Sequence, residues 1–304
     1  MKSIINKETS YVFHMLSVSK CGYDNDYGRK YESYHPVRDL AKLKELEKFI
    51  TVKGGEYSGA LYYLLVCLPA SMKNNEGALL YYKVVKDLFS YQGVEKNRLE
   101  ALEDARIDWF QFFSESLNNY MSISGIIIKI CDIMIRNYNV YSDVVWKESR
   151  VLLNNYSRDV NFSLNRLKIS EKWHSFFRPT FLQDKFEVIL CQGLENGPEA
   201  IDISQNQDVF GIDRSIEMQT AFISHEYGIY LLKRVLADTP AFTEMKYYKH
   251  TEGLAEFYNN KIYYGKLPFY MQKEACDFYT ELANSMETTD AKKLFLAAIE
   301  KMDI

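Results

Sequence analysis

The residues best suited to chemistry stand in two short runs, Phe222-Ile-Ser-His225-Glu226-Tyr-Gly-Ile229 and Thr251-Glu252-Gly-Leu-Ala-Glu256-Phe-Tyr258. A histidine followed at once by glutamate, inside an apolar helical run, is how a helix begins to hold a zinc ion. Side chains four residues apart project from the same helical face, so the pattern is completed by a second imidazole at residue 229. Two imidazoles then grip the ion while the adjacent glutamate acts as general base toward the bound water. A third ligand from a later element leaves one metal position open. In this chain His225 suits the first ligand, Glu226 the base and Glu252 the third ligand. Residue 229 is isoleucine, which cannot coordinate a metal. A His-Glu pair alone arises often by chance; the downstream run from Glu252 to Tyr258 is what raises it.

The elements that must position these residues change in character along the chain. The first two thirds read as helical. Leu40, Leu43, Leu46 and Phe49 form one apolar stripe over 39–50, and Gly54-Gly55 breaks the chain after it. An apolar core segment over 60–68 stops at Pro69, and 76–89 is a further helix candidate. Leu99, Leu102, Ile107, Phe110, Phe113 and Leu117 recur at helical intervals over 95–120. A buried helix is expected over 122–138 and a more amphipathic one over 142–156. After residue 180 the pattern shifts: 186–191 reads as a strand, 193–198 as a turn, and 200–203 and 209–212 as short strands. Helical spacing returns over 216–236, and a second helix is expected to contain Glu252. The fold class is therefore α+β, predominantly helical, with a small, mainly antiparallel sheet immediately before the site helix. Residue 180 is a soft boundary between a mainly helical region, 1–180, and a site region, 181–304. The two are not assumed to fold independently, and one compact unit is equally compatible with the pattern.

Composition removes several function classes. The 304 residues are 47% hydrophobic, with 24 tyrosines and 18 phenylalanines, a composition that buries a core rather than staying disordered. A net charge of -4, with no lysine-arginine stripe to neutralise a phosphate backbone, argues against a nucleic-acid partner. The N-terminus lacks the apolar stretch of a signal peptide, and the most apolar runs fall short of the roughly 20 residues that span a bilayer. No stable membrane insertion is expected. Five widely spaced cysteines, an odd number, read as buried thiols of a reducing compartment, so a cytoplasmic location is expected. Cys21 lacks a matched histidine signal for nucleophilic catalysis, and Lys53-Gly54-Gly55 is too short for a nucleotide cradle.

The two runs resemble the thermolysin-like superfamily of zinc metallopeptidases, the gluzincins. In that superfamily the active helix bears His-Glu-x-x-His and a following helix often reads Glu-Gly-(Leu/Phe)-Ala-Glu-(Tyr/Phe). The resemblance implies a zincin-like fold, with His225 as first metal ligand, Glu226 as catalytic base, Glu252 as third ligand and Glu256 in a supporting position one turn beyond. Ile229 departs from the pattern where the second histidine belongs, so the motif is degenerate. The matched motifs cover about residues 200–260. A fainter resemblance to uncharacterised bacterial proteins of this class lies in Tyr11 to Tyr23 followed by His35-Pro36.

Three functions follow from these residues. The first is a catalytically impaired, metallopeptidase-like protein, a pseudoenzyme that keeps a cleft for a peptide or protein. In it Val209 to Ile212 would be the edge strand, Tyr227, Tyr230, Phe257 and Tyr258 would line the cleft, and no cofactor is expected. The alternative is an active zinc metallohydrolase with an unconventional ligand set, for which zinc would be the cofactor. The third is a helical interaction or structural protein in which His-Glu is accidental. On that bland reading His225 is a helix histidine with ordinary hydrogen bonds, and Glu252 and Glu256 are solvated helix charges. His250, two residues before Glu252, would point to a different helical face. Glu217 reads as a surface residue, Asp202, Asp208 and Asp213 as turn and strand-end residues, and His14 and His174 as packing residues. Nothing in the sequence fixes the oligomeric state.

Overall fold

The structure, a computed structural model, describes residues 1–51, 58–103, 107–177, 186–195, 197–201, 206–239 and 248–302. Gly54-Gly55, the boundary at residue 180, Asp202 and the second half of the strand expected over 200–203 lie outside the described residues. The fold is predominantly helical with one small mixed sheet of four strands. Two compact units divide the chain: one joins 1–3, 156–188 and 214–304, the other 4–155 and 189–213.

The second unit is built on the helix Lys7–Val18, capped by the Asn6 side chain, which accepts from the backbone N–H groups of Glu8 and Thr9. Every residue from Glu8 to Val18 is buried, so this helix is packed on all sides rather than along one stripe. The segment expected to stop at Pro69 instead stays helical through it to Ser71. Its chain runs from the helix Ser58–Tyr62 into a wider π turn over Tyr63–Cys67 before Leu68–Ser71. Proline has no N–H to offer the preceding turn. Tyr81 and Tyr82, on the helix Gly77–Tyr91, instead donate their hydroxyls to the Leu64 and Leu65 carbonyls, each at 2.8 Å. Two buried tyrosines are thus explained by two carbonyls that need donors. The apolar stripe over 39–50 breaks at Leu46 into the helices Val37–Glu45 and Glu47–Ile50. The buried helix expected over 122–138 is Ser124–Val140.

The strands are β1 (Lys2–Ile5), β2 (Glu187–Cys191), β3 (Glu199–Ala200) and β4 (Gln207–Gly211), in the order β1-β2-β4-β3. β3 pairs antiparallel with β4, Glu199 opposite Val209 and Ala200 opposite Asp208. β4 is buried along its whole length, which suits an inner strand with both faces covered. This corrects the expectation that 209–212 is an edge: β4 lies between β2 and β3. β1 has no counterpart in the sequence reading and forms one true edge. There the Asn161 side chain accepts from the Ser3 N–H at 2.7 Å and donates to the Ser3 carbonyl at 3.0 Å. The exposed edge is thereby covered by a side-chain amide in place of another strand.

In the first unit the helix Ile216–Val235 matches the expected span of the site helix, with Ser215 capping it by accepting from the Met218 N–H. The residues from Gln219 to Leu232 are buried, except Glu226, which is partly exposed. At Gly228 an added Cβ would fall 2.2 Å from the Trp173 ring, so only glycine lets that indole lie on the helix. Trp173 also donates its ring N–H to the Ser224 hydroxyl at 2.9 Å. The helices Tyr248–Ile262, Lys273–Ser285 and Ala291–Met302 complete this unit. Among the described residues no helix is long and apolar enough to cross a membrane.

Candidate functional site

Glu252 and Glu256 sit one turn apart on the helix Tyr248–Ile262 and face His225 on the helix Ile216–Val235. Asn259, a further turn along, donates to the Ala221 carbonyl at 3.0 Å and fixes the register between the two helices. The result is a clamp. His225 Nε2 lies 3.0 Å from Glu252 Oε2, and Nδ1 lies 2.8 Å from Glu256 Oε2. The second approach is an ion-pair contact rather than an aligned hydrogen bond, because the oxygen lies off the Nδ1–H direction. Glu256 is 1% exposed, and its other oxygen accepts from the Met271 N–H at 2.7 Å. Glu252 is more open, its side chain 18% exposed.

Burial by itself opposes charge on His225, but the Glu252 and Glu256 carboxylates outweigh it, with Glu226 adding to the field. Together they push the imidazole up to about 10. The direction of that shift favours an imidazolium at neutral pH. Glu226 is only partly covered by area, yet protein atoms crowd its carboxyl. Desolvation pushes that carboxyl up to about 7, and the positive His225 moderates the rise.

The sequence-predicted residues divide cleanly. His225 and Glu252 converge, as expected from the two motifs, with Glu226 beside them. Glu256 is not a solvated charge but the more deeply buried half of the clamp. Ile229 is buried, 3% exposed. Tyr227, Tyr230, Phe257 and Tyr258 are core residues, between 0% and 6% exposed. Tyr227 shares its hydroxyl with His174 Nε2 at 2.9 Å, so His174 is a hydrogen-bond partner as well as a packing residue. Tyr258 donates to the Thr289 carbonyl. His250 turns away toward Tyr279, 3.2 Å from its hydroxyl. Glu217 and Asp213 are exposed, and Asp208 is buried in β4. Burial pushes the Cys21 thiol up to about 12, which suits an inert core cysteine.

A resident zinc ion would need donors that this clamp does not supply. The clamp's donors are one imidazole and two carboxylates, but Glu252 and Glu256 lie at opposite ring nitrogens of His225 and so do not converge with it on one ion as the three ligands of a catalytic zinc site do. Both ring nitrogens of His225 already face carboxylate oxygens, and among the described residues no group of three or more His, Cys, Asp or Glu side chains could hold a metal. The residues present do not fit the ion.

A second polar cluster escaped the sequence reading. His14, expected as a packing residue, is fully buried and lies with its Nε2 2.8 Å from Nε2 of His35. The direction of every bond follows from its outer end. Asn137 donates its amide to Asp39 at 3.2 Å and to the Ile133 carbonyl at 2.8 Å. Its amide oxygen must then accept from His35 Nδ1 at 2.8 Å. His35 Nε2 accordingly accepts from His14 Nε2, and His14 Nδ1 accepts from the Tyr27 hydroxyl at 3.0 Å. Burial and the neighbouring His35 hold His14 well below the usual histidine range. Burial also lowers His35, against the pull of Asn137. The pair is neutral. His14 and His35 lie 21 residues apart in sequence and Asn137 a further 102 on, so no local motif announces them.

No protein-family model matches the chain, and neither the curated proteins nor the solved structures contain a match to it.

Proposed function

We propose that this chain is a catalytically impaired, metallopeptidase-like protein with a zincin-like fold, in which an internal ion pair stands where its working counterparts hold zinc. The observation that carries the reading is the clamp: His225 and Glu252 meet at 3.0 Å while the residue one turn on, Ile229, is an apolar core side chain. Glu226 is correctly placed in sequence for a general base. Without a metal to lower the pKa of water or polarise a carbonyl, it would face ordinary water and an unactivated amide.

The role left to such a protein is to bind a peptide or protein without cutting it. The inner position of β4 and the burial of the four aromatic residues remove the edge strand and the aromatic lining first expected of the cleft. What remains at the site is charge: a ligand would meet the partly exposed carboxylates of Glu226 and Glu252.

The test is metal content together with turnover. After dialysis the purified chain is expected to carry far less than one zinc per molecule and to leave peptides uncut with or without added zinc. One zinc per chain, with chelator-sensitive hydrolysis lost in Glu226→Gln and Glu252→Ala, would establish the active alternative instead.

A further inference from the structure

The buried chain that begins at Tyr27 ends at a cleft. Asp39, 4% exposed, receives Asn137 from the interior. On its outer side it receives Arg136, whose Nε and Nη2 donate to its two oxygens at 3.2 and 2.9 Å. Arg136 is not buried, its side chain being 48% exposed. An exposed arginine–carboxylate pair contributes little to stability, whereas burying a run of polar side chains is costly unless each is satisfied. The arrangement makes most sense as a support that fixes one guanidinium at the surface. Side-on bonding through Nε and Nη2 leaves Nη1 with no partner among the described residues.

The guanidinium lies in a cavity of about 320 Å³ lined by Arg38, Asp39, Lys42, Lys129, Asp132, Ile133 and Arg136. The helices Val37–Glu45 and Ser124–Val140 supply these side chains at one-turn spacings, which gathers four cations against two carboxylates. Asp132 is answered from outside the cavity by Lys86 at 2.7 Å, and Asp39 by Arg136. Lys42 reaches Glu45 at 2.6 Å, an exposed contact, and Arg38 approaches Asp39 no closer than 3.8 Å. Lys129 is exposed and makes no ion pair among the described residues. The site is thus locally cationic in a chain whose net charge is -4.

We propose that this cleft binds the phosphate group of a small phosphorylated molecule, with Arg136 as the oriented fork and Arg38 and Lys129 as flanking charges. A pinned arginine donor recognises phosphate oxygens with defined geometry, and lysines add point charge. The cavity volume, at the lower end of the range for ligand pockets, suits a small molecule rather than an extended polymer. The cleft lies in the unit 4–155 and 189–213 and does not depend on the clamp around His225.

Calorimetric titration of pyrophosphate into the full chain at low ionic strength, where screening is weak, is the test. Saturable one-site binding is expected, weakened at least about tenfold in Arg38→Ala/Lys129→Ala, as for the loss of charged hydrogen bonds. Lys293→Ala/Lys301→Ala removes the same charge from an exposed helix elsewhere and is expected to change affinity less than about twofold, since surface changes at a distance act weakly. No heat of binding, or equal weakening by both double variants, would overturn the proposal. Cosedimentation with phosphatidylcholine vesicles containing phosphatidic acid, in the absence of pyrophosphate binding, would reassign the cleft to a lipid headgroup and overturn the small-molecule reading.

Discussion

His225 and His14 are both buried to within 1% of completely, yet one is held charged and the other neutral. Desolvation disfavours the imidazolium in both places. Around His225 it is overcome by two carboxylates from one helix face, one at each ring nitrogen. Around His14 the partners are another imidazole and a phenol, neither of which repays the loss of water around a charge. Burial therefore sets the cost, and the partner decides whether it is met. A buried imidazolium with a carboxylate at each nitrogen has no lone pair for a metal. A neutral pair whose tautomers are fixed by Asn137 serves to hold other groups in place.

The largest expected effect breaks the charged region. Glu256→Ala leaves the His225 charge half answered and strands the Met271 N–H. A loss of about 3–5 kcal/mol is expected, the usual range for removing one partner of a buried ion pair, read from urea unfolding. A loss under about 1 kcal/mol would mean that the clamp contributes no more than a surface pair. Ile229→His tests the same region from the metal side. Placing an imidazole at a packed isoleucine is expected to destabilise the chain by about 1–3 kcal/mol when it lacks a partner. Added zinc should recover part of that loss, provided His225 yields its proton. The readout is the melting temperature with and without equimolar zinc.

The neutral region should respond more mildly. His35→Ala interrupts the chain at its centre and leaves the Asn137 amide oxygen and the His14 Nε2–H without their partner. The expected cost is about 1–3 kcal/mol, and the loss should be coupled to that of His14→Ala in a double-mutant cycle. The smallest effect is a pH dependence of definite sign. His14 and His35 are lowered when folded and titrate near 6.5 when unfolded. The unfolded chain then binds more protons, so their contribution to stability rises with pH through that window and is lost as pH falls below about 6.5. Replacing both histidines with leucine is expected to flatten the unfolding free energy between pH 5 and 7, read against the wild type.

How much of this was legible in the sequence depends on how far apart the cooperating residues lie. The site helix was read correctly because its apolar spacing and the Glu252 run are local patterns, and their convergence followed from a motif that spans both helices. The depth of Glu256 was not legible, since a glutamate one turn from another looks the same whether solvated or buried. It is the Met271 N–H, fifteen residues on, that donates to its second oxygen. The β4 segment reads as a short apolar strand either way, because apolar content reports burial and not position within a sheet. The aromatic residues beside the motif suggested a lining, but large rings on two packed helices are more economically placed between them. The His14–His35–Asn137 chain depends on three separated segments, and only the three-dimensional structure joins them.

The central claim is that His225 is an imidazolium held by Glu252 and Glu256 and is therefore unavailable to zinc. It is tested most directly by nitrogen chemical shifts of the histidine side chains in ¹⁵N-labelled protein at pH 8, with His225 assigned by comparison with His225→Gln and recorded before and after equimolar zinc. With the imidazole pushed up to about 10, both His225 nitrogens should show the shifts of a protonated ring, unchanged by the metal. A neutral ring with one unprotonated nitrogen, whose signal moves when zinc is added, would contradict the account.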